Sequence, residues 1–328
     1  MEAFVFALGA VLPIILMVAL GFLLKVIGIL PLGIVKPLNK LVFRVFLPTL
    51  LFLNIYQITD FGEISFSYII YMVVAVLVVF AISIPLSGVL TKQRSRRAVL
   101  IQSAFRSNCA LIGLPLSVLL VGQSGAEACS LLSAASIPLF NILAVISLSL
   151  YEPNGKRPTV GGVLLGIVKN PLIIGVALGL CALGIRGVLV GCNIEFRLTD
   201  IGPLYSVITD LSKCATPVAL LALGAQFEFA SLKNMRLEII SGTLMRTFIF
   251  PALCLAVAYL FIPDLEPMHY AALVGVFCTP LAVSTVPMTQ EMGSDEELAG
   301  QVVIWSTVAS AFGIFLFSFL LKILGALG

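Results

Sequence analysis

The groups best placed to do chemistry in this chain cluster around two pairs of prolines. Within the apolar stretch from Phe105 to Pro115, the run Arg106-Ser107-Asn108 is followed by Gly113 and Pro115, and Asn108 and Pro115 lie seven residues apart. Some 170 residues on, a second apolar stretch repeats that spacing as Pro280 to Pro287, with Thr279, Ser284 and Thr285 beside them. Proline within a helix removes a backbone donor and frees a carbonyl. Neighbouring Gly, Ser, Thr or Asn can turn that fault into an unwound segment. Two such segments meeting in mid-membrane would offer half-helix N-termini and freed carbonyls to a ligand, as at the binding sites of secondary transporters. The alternative is a pair of kinked helices packed tightly, their polar side chains bonded back to their own turns.

Arg106 is the most informative charge. A guanidinium inside a membrane span is costly unless paired or watered, and its fixed fork suits a carboxylate. It either attracts an anionic substrate or snorkels toward the end of the span, continuous with Arg96 and Arg97. Glu291, after Thr289 and Gln290, could neutralise Arg106 if the two stretches cross, or take up a proton. It could also join Asn108, Ser133, Ser136 and Gln290 in a sodium site, or be a plain interfacial carboxylate. Asn141 follows Pro138 with less telling spacing. Asp210 and Lys213 are spaced to pair with each other, and His269 reads as an interface residue before a proton relay.

The elements that must position these groups are membrane spans. The chain is 60% apolar and 11% charged, with a mean hydropathy of +1.15, outside the range of soluble domains. Its 19 basic and 16 acidic residues are too few to solvate the surface of a 328-residue soluble protein. At about 20 apolar residues per crossing, spans are expected near 4–26, 35–56, 65–90, 99–121, 127–150, 160–184, 202–224, 237–262, 269–289 and 299–323. The segment 185–200 reads as a longer connection. The run from Ala3 to Leu24 has no basic residue before Lys25 and reads as a first span rather than a cleaved export signal.

Loop charges orient this count. Lys25, Lys36, Lys92, Arg94, Arg96, Arg97, Lys156, Arg157, Lys233 and Arg236 fall on one side, while the other has only Arg186, Arg197 and Lys322 and acidic connections at Asp60 to Glu63 and Asp264 to Glu266. Ten spans with both termini outside satisfy the positive-inside rule, with the acidic turn Glu291 to Glu297 a mild exception. The formal charge of +3 then reflects topology and carries no nucleic-acid footprint.

The halves also resemble each other. Pro48 and Pro217 are offset by 169, Pro115 and Pro287 by 172, and Gly122 and Gly293 by 171. A near-constant shift argues for a duplication of five spans, residues 1–150 and 160–328, the second copy entering the membrane inverted. The seven cysteines show no metal or redox spacing and read as small hydrophobes. The glycines at 161, 162 and 166 are not a phosphate loop, whereas Gly175 and Gly179 form a small-residue face for close helix contact.

The strings Gly21-Phe-Leu, Leu38-Asn-Lys…Phe46-Leu-Pro48, Arg106-Ser-Asn108…Gly113-Leu-Pro115 and Thr279-Pro280…Pro287-Met resemble the auxin efflux carrier family. That family includes plant auxin exporters and bacterial permeases proposed for malate or malonate. The resemblance spans essentially the whole chain and implies an all-α protein of ten transmembrane helices in an inverted five-plus-five arrangement. Helices 4 and 9 would be broken and would cross at Asn108, Pro115, Pro280 and Pro287. It further implies a scaffold domain (4–56 and 160–224), a transport domain (65–150 and 237–323), a bacterial inner-membrane location and a homodimer through the scaffold. Plant relatives bind an indole carboxylate near the crossover, and distantly similar bile-acid symporters place sodium ions behind theirs. Unlike the plant exporters, this chain joins its halves only through Tyr151 to Thr159, and it has Pro280 where the first repeat has Asn108.

The function expected is alternating-access transport of a small organic anion, with no cofactor, with sodium or proton coupling open, and with no enzymatic activity. The substrate site is expected at Arg106, Ser107, Asn108, Gly113, Pro115, Thr279, Pro280, Ser284, Thr285 and Pro287. A membrane sensor would carry a signalling domain or long tail, and a channel would want rings of pore-lining polar groups rather than two singular breaks.

Overall fold

The computed structural model describes residues 2–57, 66–152, 160–192, 194–227, 234–262 and 265–327. Lys156, Arg157, Lys233, Asp264, the turn Asp60–Glu63 and the link 153–159 lie outside them. Among the described residues the regular elements are helical, and the one strand-like contact is an isolated bridge between Ser107 and Leu281. The helices are α1 (Glu2–Val26), α2 (Leu32–Tyr56), α3 (Phe66–Leu90), α4 (Arg94–Phe105), α5 (Leu114–Val121), α6 (Gln123–Leu150) and α7 (Val160–Lys169). They continue as α8 (Pro171–Gly191), α9 (Gly202–Gln226), α10 (Arg236–Phe261), α11 (Pro267–Phe277), α12 (Thr285–Glu291) and α13 (Glu296–Ile323). By length and composition, 7 of these can each cross a bilayer: α2, α3, α6, α8, α9, α10 and α13.

Three prolines shape their helices in the same way. The residue before Pro48, Pro115 and Pro251 donates its amide to the carbonyl five residues back: Leu47 to Val42, Leu114 to Cys109, Phe250 to Met245. The proline ring would strike the carbonyl four residues back, so the preceding turn widens into a π turn: Val42–Phe46 in α2, Cys109–Gly113 before α5, Met245–Ile249 in α10. Pro217 produces no such turn, and α9 runs through it as regular helix.

The expected span at 160–184 divides. Asn170 accepts the Leu172 amide at 2.9 Å and Pro171 takes the first helical position, so α7 stops and α8 begins there. The apolar crossing therefore runs from Pro171 to Gly191, and the connection read at 185–200 starts only at Cys192. Arg186 stays within α8 because its guanidinium reaches the Tyr56 carbonyl at 2.7 Å and lies over the Tyr56 ring.

Packing is tightest where glycine replaces a side chain. A Cβ on Gly175 would sit 2.5 Å from the Pro48 carbonyl oxygen, and one on Gly179 would sit 3.0 Å from that of Phe52, so α8 lies directly against α2. Glycine likewise lets α1 and α9 meet: a Cβ on Gly224 would fall 2.0 Å from the Val18 carbonyl oxygen. The most buried elements are α11, enclosed from His269 to Phe277, and α4 from Ala98 to Phe105. Around them, Leu16, Leu20, Ile70, Val74, Leu178 and Val188 point outward, an apolar exterior that suits lipid.

Candidate substrate site

Regular helix stops at Phe105 and resumes at Cys109, and it stops again at Phe277 and resumes at Thr285. The two gaps lie side by side. The Asn108 amide donates to the Pro280 carbonyl at 2.9 Å, beside the Ser107–Leu281 bridge. Pro280 has no amide to continue α11 and disfavours helix at Thr279 before it. The Leu281 amide is satisfied instead by the Ser306 hydroxyl of α13 at 3.2 Å. Irregular backbone thus persists inside the molecule because protein groups complete its hydrogen bonds.

One wall of a cavity is made by the paired gaps: Arg106, Ser107, Asn108 and Cys109 from the first, Ala282, Val283 and Ser284 from the second. The opposite wall comes from Leu47, Leu50, Leu51 and Asn54 of α2, Ala215, Thr216 and Ala219 of α9, and Leu172 of α8; Ile137, Phe140 and Asn141 of α6 complete it. The atom-free space of the cavity and its open mouth together is about 660 Å³. Most of the lining is apolar; Arg106, Ser107, Asn108 and Ser284 bring polar groups from the gaps, and Asn54, Asn141 and Thr216 bring others from α2, α6 and α9.

Arg106 is 2% exposed and does not snorkel. Its Nη1 donates to Gln102 Oε1 at 2.9 Å and to Met288 Sδ at 3.0 Å, and its Nη2 donates to Asn141 Oδ1 at 3.0 Å and Ser284 Oγ at 2.9 Å. All four acceptors are uncharged. Among the described residues, ion pairs join Arg44 to Glu291 and Arg96 to Glu238 and Asp295, and none includes Arg106. Nearby, Asn108 Nδ2 and Ser107 Oγ are buried without a hydrogen-bond partner. A full positive charge and an unused amide donor therefore share one cavity wall, a combination that favours an anion.

The residues singled out from sequence divide by role. Arg106, Ser107, Asn108 and Ser284 line the cavity, whereas Gly113, Pro115, Thr279, Pro280, Thr285 and Pro287 do not. Gly113 packs against Gly275, Pro115 follows the π turn, and Thr279 bonds through its hydroxyl to the Gly275 carbonyl at 3.0 Å. Pro280 supplies the carbonyl for Asn108, and Thr285 and Pro287 are buried in α12.

Other pairings differ from expectation. Glu291 does not neutralise Arg106, because the turn of α12 aims it at Arg44 of α2, 3.2 Å away. Gln290 accepts from Asn39 at 2.8 Å and from Gln226 at 3.0 Å, and donates to the Lys36 carbonyl at 3.3 Å. Ser136 instead lies against Cys109, and Ser133 lines a separate pocket with Asn54, Gln57 and Ser130. Of these ion-site candidates, Gln290 and Glu291 are bonded to α2 and α9, while Ser136 touches Cys109, the residue after Asn108. Asp210 and Lys213 are exposed and make no ion pair among the described residues. His269, in the first turn of α11, is buried: its Nδ1 accepts the Glu266 amide at 3.0 Å and its ring packs on Tyr68.

Sequence reasoning missed Gln102, Asn54 and Thr216, and it undervalued Asn141. A signal was available for Gln102, four residues before Arg106 on the same helix and so on the same face. Asn54 and Thr216 offered none, since only packing brings α2 and α9 to the gaps.

An all-helical, multi-pass membrane chain with a central cavity of this kind belongs to the class of membrane transporters, which move solutes rather than remake bonds. The chain is a member of the membrane transport protein family, which includes the auxin efflux carriers; the match covers residues 6–318. It is similar to an uncharacterized transporter of Methanothermobacter thermautotrophicus, at 23% identity over 329 residues that take in 95% of this chain and 97% of the relative.

Proposed function

We propose that this chain is a secondary active carrier of small organic anions, auxin-like or mono- and dicarboxylates, working by alternating access. The observation that carries the reading is Arg106, buried in the cavity wall with only uncharged acceptors, next to the unpartnered amide of Asn108. A buried guanidinium without a counter-charge is expensive, and an incoming carboxylate offsets that cost. The apolar remainder of the cavity would take the body of the anion.

In this reading the chain crosses the membrane ten times, both ends outside, as an inverted pair of five-span repeats. Two landmarks support the duplication: Gly122 and Gly293, offset by 171, both adopt positive φ, at 78° and 69°, and each ends a short helix after a gap. The scaffold is α1, α2, α7, α8 and α9, and the moving part is α3 to α6 with α10 to α13. The first group packs through α1 on α9 and α2 on α8, the second through α4 on α6, α11 on α6 and α10 on α13, and α1 also packs on α13 across the two groups. Pairing of two copies through the scaffold in a bacterial inner membrane belongs to the same reading. The driving force is a proton or sodium gradient, or the membrane potential alone, which supplies about 2.3 kcal/mol per charge per 100 mV.

The test is flux of a panel of radiolabelled carboxylates in proteoliposomes, with and without sodium at two external pH values. A carrier shows saturable, substrate-dependent flux that Arg106→Gln reduces at least tenfold. A sensor binds without flux, and a channel passes anions without saturation. Either result would displace the proposal.

A further inference from the structure

A second buried arginine stands behind the paired gaps and takes no part in the cavity. Arg246 lies in the π turn Met245–Ile249 of α10 and is 2% exposed. Its Nε donates to the Thr279 carbonyl at 2.8 Å, and its Nη2 donates to the carbonyls of Val276 at 3.0 Å and Phe277 at 2.5 Å. These oxygens are orphaned by the interruption itself. In a continuous helix Val276 would accept from residue 280, which is proline, and Phe277 would accept from Leu281, whose amide goes to Ser306. They also stand at the C-terminal, negative end of α11.

Converging main-chain oxygens at the C-terminus of a half-helix are the ligands with which carriers of this architecture hold a coupling cation. Here a guanidinium, permanently attached to α10, fills that position. Its flat fork reaches carbonyls on both sides of the turn, which fixes the Pro280 carbonyl facing Asn108.

We propose that Arg246 is a positioning residue that acts as a built-in cation for the second interruption, so that the anion site is assembled without sodium at the carbonyls of Val276, Phe277 and Thr279. The inference rests on the anion-carrier reading for its consequence in transport but not for its consequence in ion binding. Removing the side chain leaves a nest of oxygens that a small free cation can enter, whereas lysine keeps a charge there.

The experiment uses the full chain in detergent and in proteoliposomes. Melting is followed in sodium chloride against N-methylglucamine chloride at equal ionic strength, and with guanidinium chloride in the low millimolar range, alongside flux under the same ions. The wild type is expected to melt and transport alike in both salts. Arg246→Ala is expected to lose at least tenfold in flux and to gain a saturable rise in melting temperature with sodium or guanidinium. Arg246→Lys is expected to keep most of the flux and the indifference to sodium. A saturable sodium response in the wild type overturns the proposal, as does a folded Arg246→Ala protein with wild-type flux or no cation response. Should Arg246→Ala not fold, Arg246→Lys decides, since a folded lysine variant without flux is incompatible with a role met by positive charge. If the wild type carries no anion at all, the carrier reading fails, yet the melting comparison of Arg246→Ala with the wild type still reads the cation nest.

Discussion

Gly113 and Gly275 meet backbone to backbone: a Cβ on Gly113 would lie 2.7 Å from the Gly275 carbonyl oxygen, and one on Gly275 would lie 3.0 Å from that of Gly113. The Ser117 hydroxyl closes the same contact, its single proton shared between the carbonyls of Gly113 at 2.9 Å and Ala271 at 3.1 Å. Neither neighbour at Gly113 is a flexible side chain, so an added methyl has to separate the two segments. Gly113→Ala should destabilise the fold by about 1–3 kcal/mol and Gly113→Val by more. Thermal unfolding in detergent would show it, and an unchanged melting temperature for Gly113→Val would contradict so close an approach.

Asn108→Ala separates the side chain from the backbone. The amide that meets Pro280 remains, and the lost Nδ2 has no protein partner, so the folded protein should melt within a few degrees of the wild type. Transport should be abolished. Wild-type flux from this variant would remove Asn108 from the site.

Asn141→Asp places a carboxylate where Arg106 Nη2 now finds an amide oxygen at 3.0 Å. The new internal ion pair would compete with an incoming anion for the guanidinium. Flux should fall at least tenfold, while the new ion pair offsets the lost Asn141 Nδ2 bond to the Ile137 carbonyl at 2.9 Å; tighter anion binding by the variant would argue against Arg106 as the anchor.

Gln290 and Glu291 are adjacent but should respond differently. Gln290→Leu leaves the fully buried Asn39 amide without its acceptor and should cost about 1–3 kcal/mol. Glu291→Gln breaks a pair whose Arg44 side chain is 58% exposed and should change stability by about 0–1 kcal/mol. Equal melting shifts for the two variants would show that Gln290 does not join α12 to α2 and α9 as the hydrogen bonds indicate.

Arg96 joins α4 to Glu238 of α10, at 2.9 Å, and to Asp295 before α13, at 3.2 Å. Burial alone would lower its pKa, but hydrogen bonds and attraction from these two carboxylates outweigh burial and hold it above the usual arginine value. A base whose folded pKa is raised contributes stability that is fully present below its unfolded pKa and is lost only as pH rises through the folded value, here strongly alkaline. Arg96→Met should therefore lower the melting temperature by a near-constant amount from pH 6 to pH 9, reflecting about 1–2 kcal/mol for a partly screened network. A destabilisation that disappears within that range would contradict this linkage.

Sequence alone determined that the chain is helical and membrane-embedded, because sustained apolar runs with charges between them have no other stable solution. It also located the second gap, since Pro280 removes a donor by its own covalent structure, and marked Gly175 and Gly179, one turn apart, as a face for close helix contact, though only packing made α2 the partner. The first gap has no proline within it: Pro115 only widens a turn after Asn108, and the irregular backbone from Arg106 to Asn108 persists through its bond to Pro280, some 170 residues away. Only tertiary structure decided the partners of the charges. Glu291 goes to Arg44, Arg106 to Gln102, Asn141 and Ser284, and Arg246 to the end of α11, because the rotation of each helix about its axis follows from packing against distant segments, which local spacing does not encode.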